Sequence, residues 1–202
     1  MPRICAALLS NPFGVGNSHF RTSLKEGFVD TVPYGAYRRE ILDRSGHFNE
    51  NLVRGQDREL HVRIRRAGGR IYQSVALRTL YHPAGTLTAL LHKAFQNGFW
   101  NVRTVRENPN AMTVKHFVPG AFVLALLLLL GLSWFFPKFA VLFAGIALVY
   151  SVAAWYFSGH SQRQPDMSVR LMMPVFAFLF HVSYGLGTIA SLCSQFVRTQ
   201  RD

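Results

Sequence analysis

The chain has 202 residues, half of them hydrophobic, and a formal net charge of +12. Residues 1–116 carry +9 of that charge and residues 117–202 only +3, together with the longest apolar runs, so the two halves suit two different solvents. This pattern favours anionic lipid or a phosphorylated substrate as partner and argues against nucleic acid, for which no binding motif is visible. The two cysteines, Cys5 and Cys193, have neither metal spacing nor the pattern of a disulfide framework.

In chain order, the apolar run Ile4–Leu9 is too brief for a signal peptide and predicts a buried strand. Gly14-Val15-Gly16-Asn17-Ser18 lacks the Lys-Ser/Thr of a P-loop and the third glycine of a dinucleotide fingerprint, and reads as a flexible loop. Phe28–Val32 predicts a second strand. Arg38–Ser45 predicts a short helix stopped by Gly46. Asp57–Ala67 predicts another, with an inward stripe of Leu60, Ile64 and Ala67 and a left-handed cap at Gly68-Gly69. Arg70–Tyr72 and Leu77–Tyr81 read as further strands. Leu87–Arg106 is amphipathic, with Leu90, Leu91, Ala94, Phe95, Gly98 and Val102 on one side and His92, Lys93, Gln96, Asn97, Asn101 and Arg103 on the other. Such a helix suits a membrane interface, the alternative being a helix packed on a soluble core.

Phe117–Phe136 and Phe139–Phe157 are uncharged runs of 20 and 19 residues separated by Pro137-Lys138, and predict a helical hairpin that crosses a membrane. Six leucines within 124–130 argue against a soluble hairpin. Leu171–Val197 adds 27 residues without Lys, Arg, Asp or Glu but contains Pro174, His181, Gly185 and Gly187; its length predicts a third span. The bases of residues 1–116 place that region in the cytoplasm.

Asp57 lies on the first helical turn, three residues before Leu60, where free N–H groups and the helix dipole stabilise a carboxylate. It is suited to removing a proton; the equal alternative is a plain N-capping Asp. Glu59 and Arg63 form an i, i+4 pair expected on the solvent face. The eight histidines show no ligand spacing, and His82, next to Pro83, is at most a weak metal candidate.

Asp30-Thr31-Val32-Pro33-Tyr34-Gly35-Ala36-Tyr37-Arg38-Arg39, then Gly46-His47-Phe48-Asn49-Glu50, Gln56-Asp57 and Arg63 through Gly69 resemble the C-terminal half of a family 2 glycosyltransferase. The similarity is to the membrane-bound enzymes of succinoglycan-type exopolysaccharide synthesis, and Tyr184-Gly185-Leu186-Gly187 after His181 extends it to the last apolar run. The resemblance implies an α/β, partly GT-A-like cytoplasmic region followed by an α-helical transmembrane region. Residues 1–86 would be the acceptor and catalytic-base half, 87–116 an interfacial helix and linker, and 117–202 the membrane part, at the inner membrane of a bacterium. It also implies a nucleotide-sugar donor, a lipid-linked or polysaccharide acceptor, and Mg²⁺ or Mn²⁺. Asp57 matches the acid that serves as base, and the acid before it in the family is Gln56 here. Gln96 and Trp100 correspond to an acceptor-binding motif with one residue more between them and no Arg before the Trp. Arg38, Arg39, Arg54 and Arg63 are candidates for offsetting diphosphate charge. The family's donor-binding half, with its Asp-x-Asp metal site, has no counterpart in the sequence. A split enzyme, with that half as a separate chain, is one expectation; a non-catalytic membrane-anchored remnant or anchoring subunit is the alternative.

Overall fold

The computed structural model of the chain describes residues 1–15, 26–77, 79, 82–159 and 165–199. Helices dominate them. The first, α1 (Pro2–Leu9), begins with Pro2, whose fixed φ suits a first turn and whose missing N–H costs nothing there. It buries Ile4, Cys5, Ala7, Leu8 and Leu9. The strand expected at Ile4–Leu9 is therefore a helix: a short apolar run has no periodicity to separate the two, and the partner surface decides. A single turn, α2 (Pro12–Val15), follows, so the expected loop begins as helix at Gly14 and Val15; residues 16–18 lie outside the described ones. Asn11 ties this segment to the apolar half: its Nδ2 donates to the Phe157 carbonyl at 2.7 Å, and its Oδ1 accepts from Phe13 N–H at 2.8 Å.

The polar region holds two helices. Gly46, at φ 80°, ends α3 (Arg39–Ser45). Helix α4 (Gln56–Arg66) is entered through Gly55, also at φ 80°. Its exit is a Schellman cap: Gly68 takes φ 81°, its N–H reaches Arg65 O at 3.1 Å, and Gly69 N–H reaches Ile64 O at 2.9 Å.

The α/β expectation is overturned here. Among the described residues the strands are β1 (Gly27–Phe28) and β2 (Tyr72–Gln73), antiparallel with Gly27 opposite Gln73 and Phe28 opposite Tyr72. One more backbone bond, Val29 N–H to Ile71 O at 3.0 Å, extends the pair. The run Phe28–Val32 goes no further because Pro33 offers no donor and Tyr34 turns to φ 54°. Leu77 and Thr79 are in no strand, and Arg78, Leu80 and Tyr81 lie outside the described residues. Two strands of two residues are not a GT-A-like sheet.

Helix α5 (Leu87–Glu107) starts at Thr86, whose hydroxyl accepts Ala89 N–H at 3.2 Å. Two short 3₁₀ turns, Pro109–Ala111 and Val114–His116, lead to α6 (Val118–Ser133), α7 (Pro137–Gly159) and α8 (Met167–Thr199). The buried face of α5 is Leu90, Ala94, Gly98, Asn101 and Val102, and it packs on α8. The closeness depends on small residues: a Cβ on Gly98 would strike Tyr184 O, and one on Gly187 would strike Phe95 O. Asn101, expected on the polar side, is buried and donates to the Tyr184 hydroxyl. The main core joins α1, α5 and α8 through Leu8, Leu90, Ala94, Met173, Phe176 and Phe180.

Helices α7 and α8 are long and apolar enough to cross a membrane. Helix α6 has 16 residues, roughly 24 Å at 1.5 Å per residue, short of the roughly 30 Å of a hydrocarbon core. Trp134 and Phe135 leave the helix in a turn because Pro137 opens the next one. The expected set of three spans is thus reduced to two candidates. Leucines 124, 127, 128 and 130 and most of α7 turn large apolar side chains outward, a surface that water disfavours.

Candidate functional site

The candidate site forms where the start of α4 meets α5. Leu60 and Ile64 bury one side of α4 and Val62 the opposite one, and the Gly55 entry to the helix abuts Thr104 and Met112. Gly55 is required at this seam: a Cβ there would stand 2.8 Å from Thr104 Oγ1, and the backbone is left-handed. Thr104 Oγ1 also donates to Arg54 O at 3.3 Å.

Asp57 is half-buried on this first turn. Its Oδ1 accepts Arg58 N–H at 2.8 Å. One turn later on the same face, His61 is fully buried, with Nδ1 2.8 Å from Thr31 Oγ1 and Nε2 2.8 Å from the Tyr37 hydroxyl. Burial pushes the His61 imidazole below its ordinary range, against the opposing pull of the Asp57 carboxylate. Burial likewise raises the Tyr37 phenol, and the same carboxylate adds to the rise. Asp57, His61, Tyr37 and Thr31 thus form one neighbourhood, with His61, Tyr37 and Thr31 hydrogen-bonded together behind a half-buried carboxylate. Sequence reading found Asp57 and missed the other three; the i, i+4 spacing of Asp57 and His61 was the available signal.

Gln56 opens α4 beside Asp57. Gln96 and Trp100 are both half-buried on α5 and bond to one another, the indole Nε1 donating to Gln96 Oε1 at 3.1 Å. The Arg103 guanidinium lies 5.0 Å from the Trp100 ring centre. Arg54 reaches the same helix, donating to Asn97 Oδ1 at 3.0 Å. The structure therefore places Arg54 at the seam with α5, whereas Arg38 and Arg39 are exposed at the start of α3.

Arg63 is committed elsewhere. Its Nε and Nη2 hold the Glu59 carboxylate at 2.8–3.0 Å, and Nη1 and Nη2 donate to the carbonyls of Ser45 and His47. Glu59 is 4% exposed and also takes Asn108 Nδ2 at 3.4 Å. The pair expected on the solvent face is a clamp joining α4 to the end of α3, its carboxylate buried beneath Asn108 and its guanidinium partly exposed.

Two more residues were missed. Arg58 Nη1 donates to His116 Nε2 at 2.6 Å and to Met112 Sδ at 3.2 Å. An arginine has no acceptor to offer, so Nε2 accepts, while Nδ1 stands 3.1 Å from the Thr113 N–H and 3.0 Å from the Thr113 carbonyl. Burial first, then the Arg58 charge, hold His116 down at about 4. Among the described residues no three His, Cys, Asp or Glu side chains stand together as a metal site.

The chain is 24% identical, over 188 residues, to a protein of Methanococcus voltae named dolichyl N-acetyl-alpha-D-glucosaminyl phosphate 3-beta-D-2,3-diacetamido-2,3-dideoxy-beta-D-glucuronosyltransferase. The match covers 90% of this chain and 53% of that protein, so the chain spans about half the length of the curated relative it matches. No family model and no solved structure matches the chain. The similarity is to a glycosyltransferase whose name carries a lipid-linked sugar; it does not extend to family 2 or to the exopolysaccharide type.

Proposed function

We propose that the chain serves glycosyl transfer to a lipid-linked acceptor at a membrane surface, with Asp57 as the base. The observation that carries this reading is the placement of Asp57. Its carboxylate is anchored through one oxygen to Arg58 N–H, and among the described residues its other oxygen has no hydrogen-bond partner. Arg54, three residues before Asp57, reaches α5, the helix that packs on the apolar α8. The similarity to a transferase that acts on a dolichyl phosphate-linked sugar supports the class of acceptor.

In this reading the acceptor hydroxyl gives its proton to Asp57. Its oxygen attacks the anomeric carbon of a nucleotide sugar, the bond from that carbon to the phosphate oxygen breaks, and the nucleoside diphosphate leaves with the electron pair. Gln56, Gln96 and Trp100 line the acceptor side. Arg38, Arg39 and Arg54 are the bases available to the leaving diphosphate. Helices α7 and α8 hold the chain in the membrane.

The test is transfer of labelled sugar from nucleotide sugars to polyprenyl-phosphate-linked sugar by native membranes with and without the gene. Loss of one transferred product on deletion, restored by the gene, supports the reading. Unchanged transfer to every lipid-linked acceptor contradicts it.

A further inference from the structure

The ion pairs among the described residues join Arg3 to Asp166, Arg63 to Glu59 and Arg65 to Asp30. Three arginines at the seam between α4 and α5 have none. Arg54 meets an amide oxygen, Arg58 meets an imidazole and a thioether, and Arg103 lies over the rings of Phe99 and Trp100. All three are half-buried. A guanidinium withdrawn from water without a carboxylate loses hydration that neutral partners only partly replace. Arg58 is the clearest case, because its His116 partner is itself a weak base kept neutral by the enclosure, and the residue before His116, Lys115, adds positive charge.

This cluster lies beside Asp57 in the chain and immediately before α6, the first of the apolar helices. We propose that Arg58, with Arg54 beside it and His116 behind it, is the seat of a phosphate ester. The planar fork of a guanidinium matches two phosphate oxygens, and His116 fixes the direction in which Arg58 presents its remaining N–H groups. Two molecules of the proposed reaction carry that chemistry, the phosphate of a lipid-linked acceptor and the diphosphate of a nucleotide sugar. The position next to α6 favours the lipid phosphate. The inference deepens the acceptor reading given above, but it concerns binding alone and stands or falls without any transfer.

The experiment uses the full chain in lipid nanodiscs and measures equilibrium binding of three probes: a short-chain polyprenyl phosphate, the matching polyprenol, and uridine diphosphate. The wild type is expected to bind the polyprenyl phosphate more tightly than the polyprenol. Arg58→Gln should weaken the phosphate probe by about ten- to a hundredfold and leave the polyprenol unchanged, as loss of a charge-assisted pair does. Arg58→Lys should lose less, since it keeps the charge without the fork. Arg54→Gln, which leaves the Arg58–His116 contact intact, should also weaken the phosphate probe and serves if Arg58→Gln does not fold. A loss confined to uridine diphosphate would support a phosphate seat and assign it to the nucleotide. Equal binding of polyprenyl phosphate and polyprenol together with no binding of uridine diphosphate, or Arg58 and Arg54 variants that bind as the wild type does, would overturn the proposal. Neither result bears on whether sugar is transferred.

Discussion

Gly98 of α5 faces the carbonyl oxygen of Tyr184 on α8 with no space for a Cβ between them. The contact is reciprocal, since Gly187 of α8 faces Phe95 O in the same way. This crossing fixes α5, and with it the surface that Arg54 and Gly55 meet just before Asp57. Gly98→Ala must push the two backbones apart. Overpacking of this kind costs about 1–3 kcal/mol. A lowered thermal midpoint in detergent is expected, larger for Gly98→Ala than for Gly145→Ala, whose Cβ meets nothing within 4 Å. Equal midpoints for the two variants would contradict the close crossing.

The Glu59–Arg63 clamp gives a second expectation. Arg63→Met leaves a buried carboxylate with only Asn108 for company, and breaking such a pair costs about 3–5 kcal/mol. Replacing both residues, as Glu59→Gln with Arg63→Met, removes the orphaned charge and should recover part of the loss. A double-mutant cycle from denaturant unfolding reads the coupling. Additive effects would show that the two residues do not act as a pair.

His116 gives a dependence on pH. Its folded value of about 4 lies below the ordinary value near 6.5, so in that window the unfolded chain takes up a proton that the folded chain refuses. Stability should be complete above pH 6.5, fall as the pH drops toward 4, and level off below. Carboxylates titrate near the lower end, so the measurement is the difference between wild type and His116→Asn. The wild-type midpoint should fall more steeply than the variant's between pH 6.5 and 4; parallel curves would contradict the buried neutral ring.

The helices were legible where a local signal coincided with packing. Gly46 and Gly68-Gly69 marked the ends of α3 and α4, and the 3.6-residue period of Leu90, Ala94 and Val102 marked α5. The strands were misread because Ile4–Leu9 has no period to distinguish helix from strand; its fate rests on the distant surface of Met173 and Phe180. Asn101 was placed on the wrong side because its partner, the Tyr184 hydroxyl, is 83 residues away. In the site, Asp57 was visible from its helix position. His61, Tyr37, Arg58 and His116 were not, since what joins them is contact between residues 24 and 58 positions apart.

The central claim is that the Asp57 carboxylate takes the acceptor's proton. The most direct measurement is the rate of sugar transfer to polyprenyl-phosphate-linked acceptor by native membranes in which the chromosomal gene carries Asp57→Asn. Loss of a general base typically lowers a rate by about 10²–10⁴-fold, and a fall of that size is expected with the amount of protein in the membrane unchanged. Glu59→Gln alters the buried clamp instead and should act through protein level and stability. Near-full transfer by Asp57→Asn at normal protein level would contradict the account.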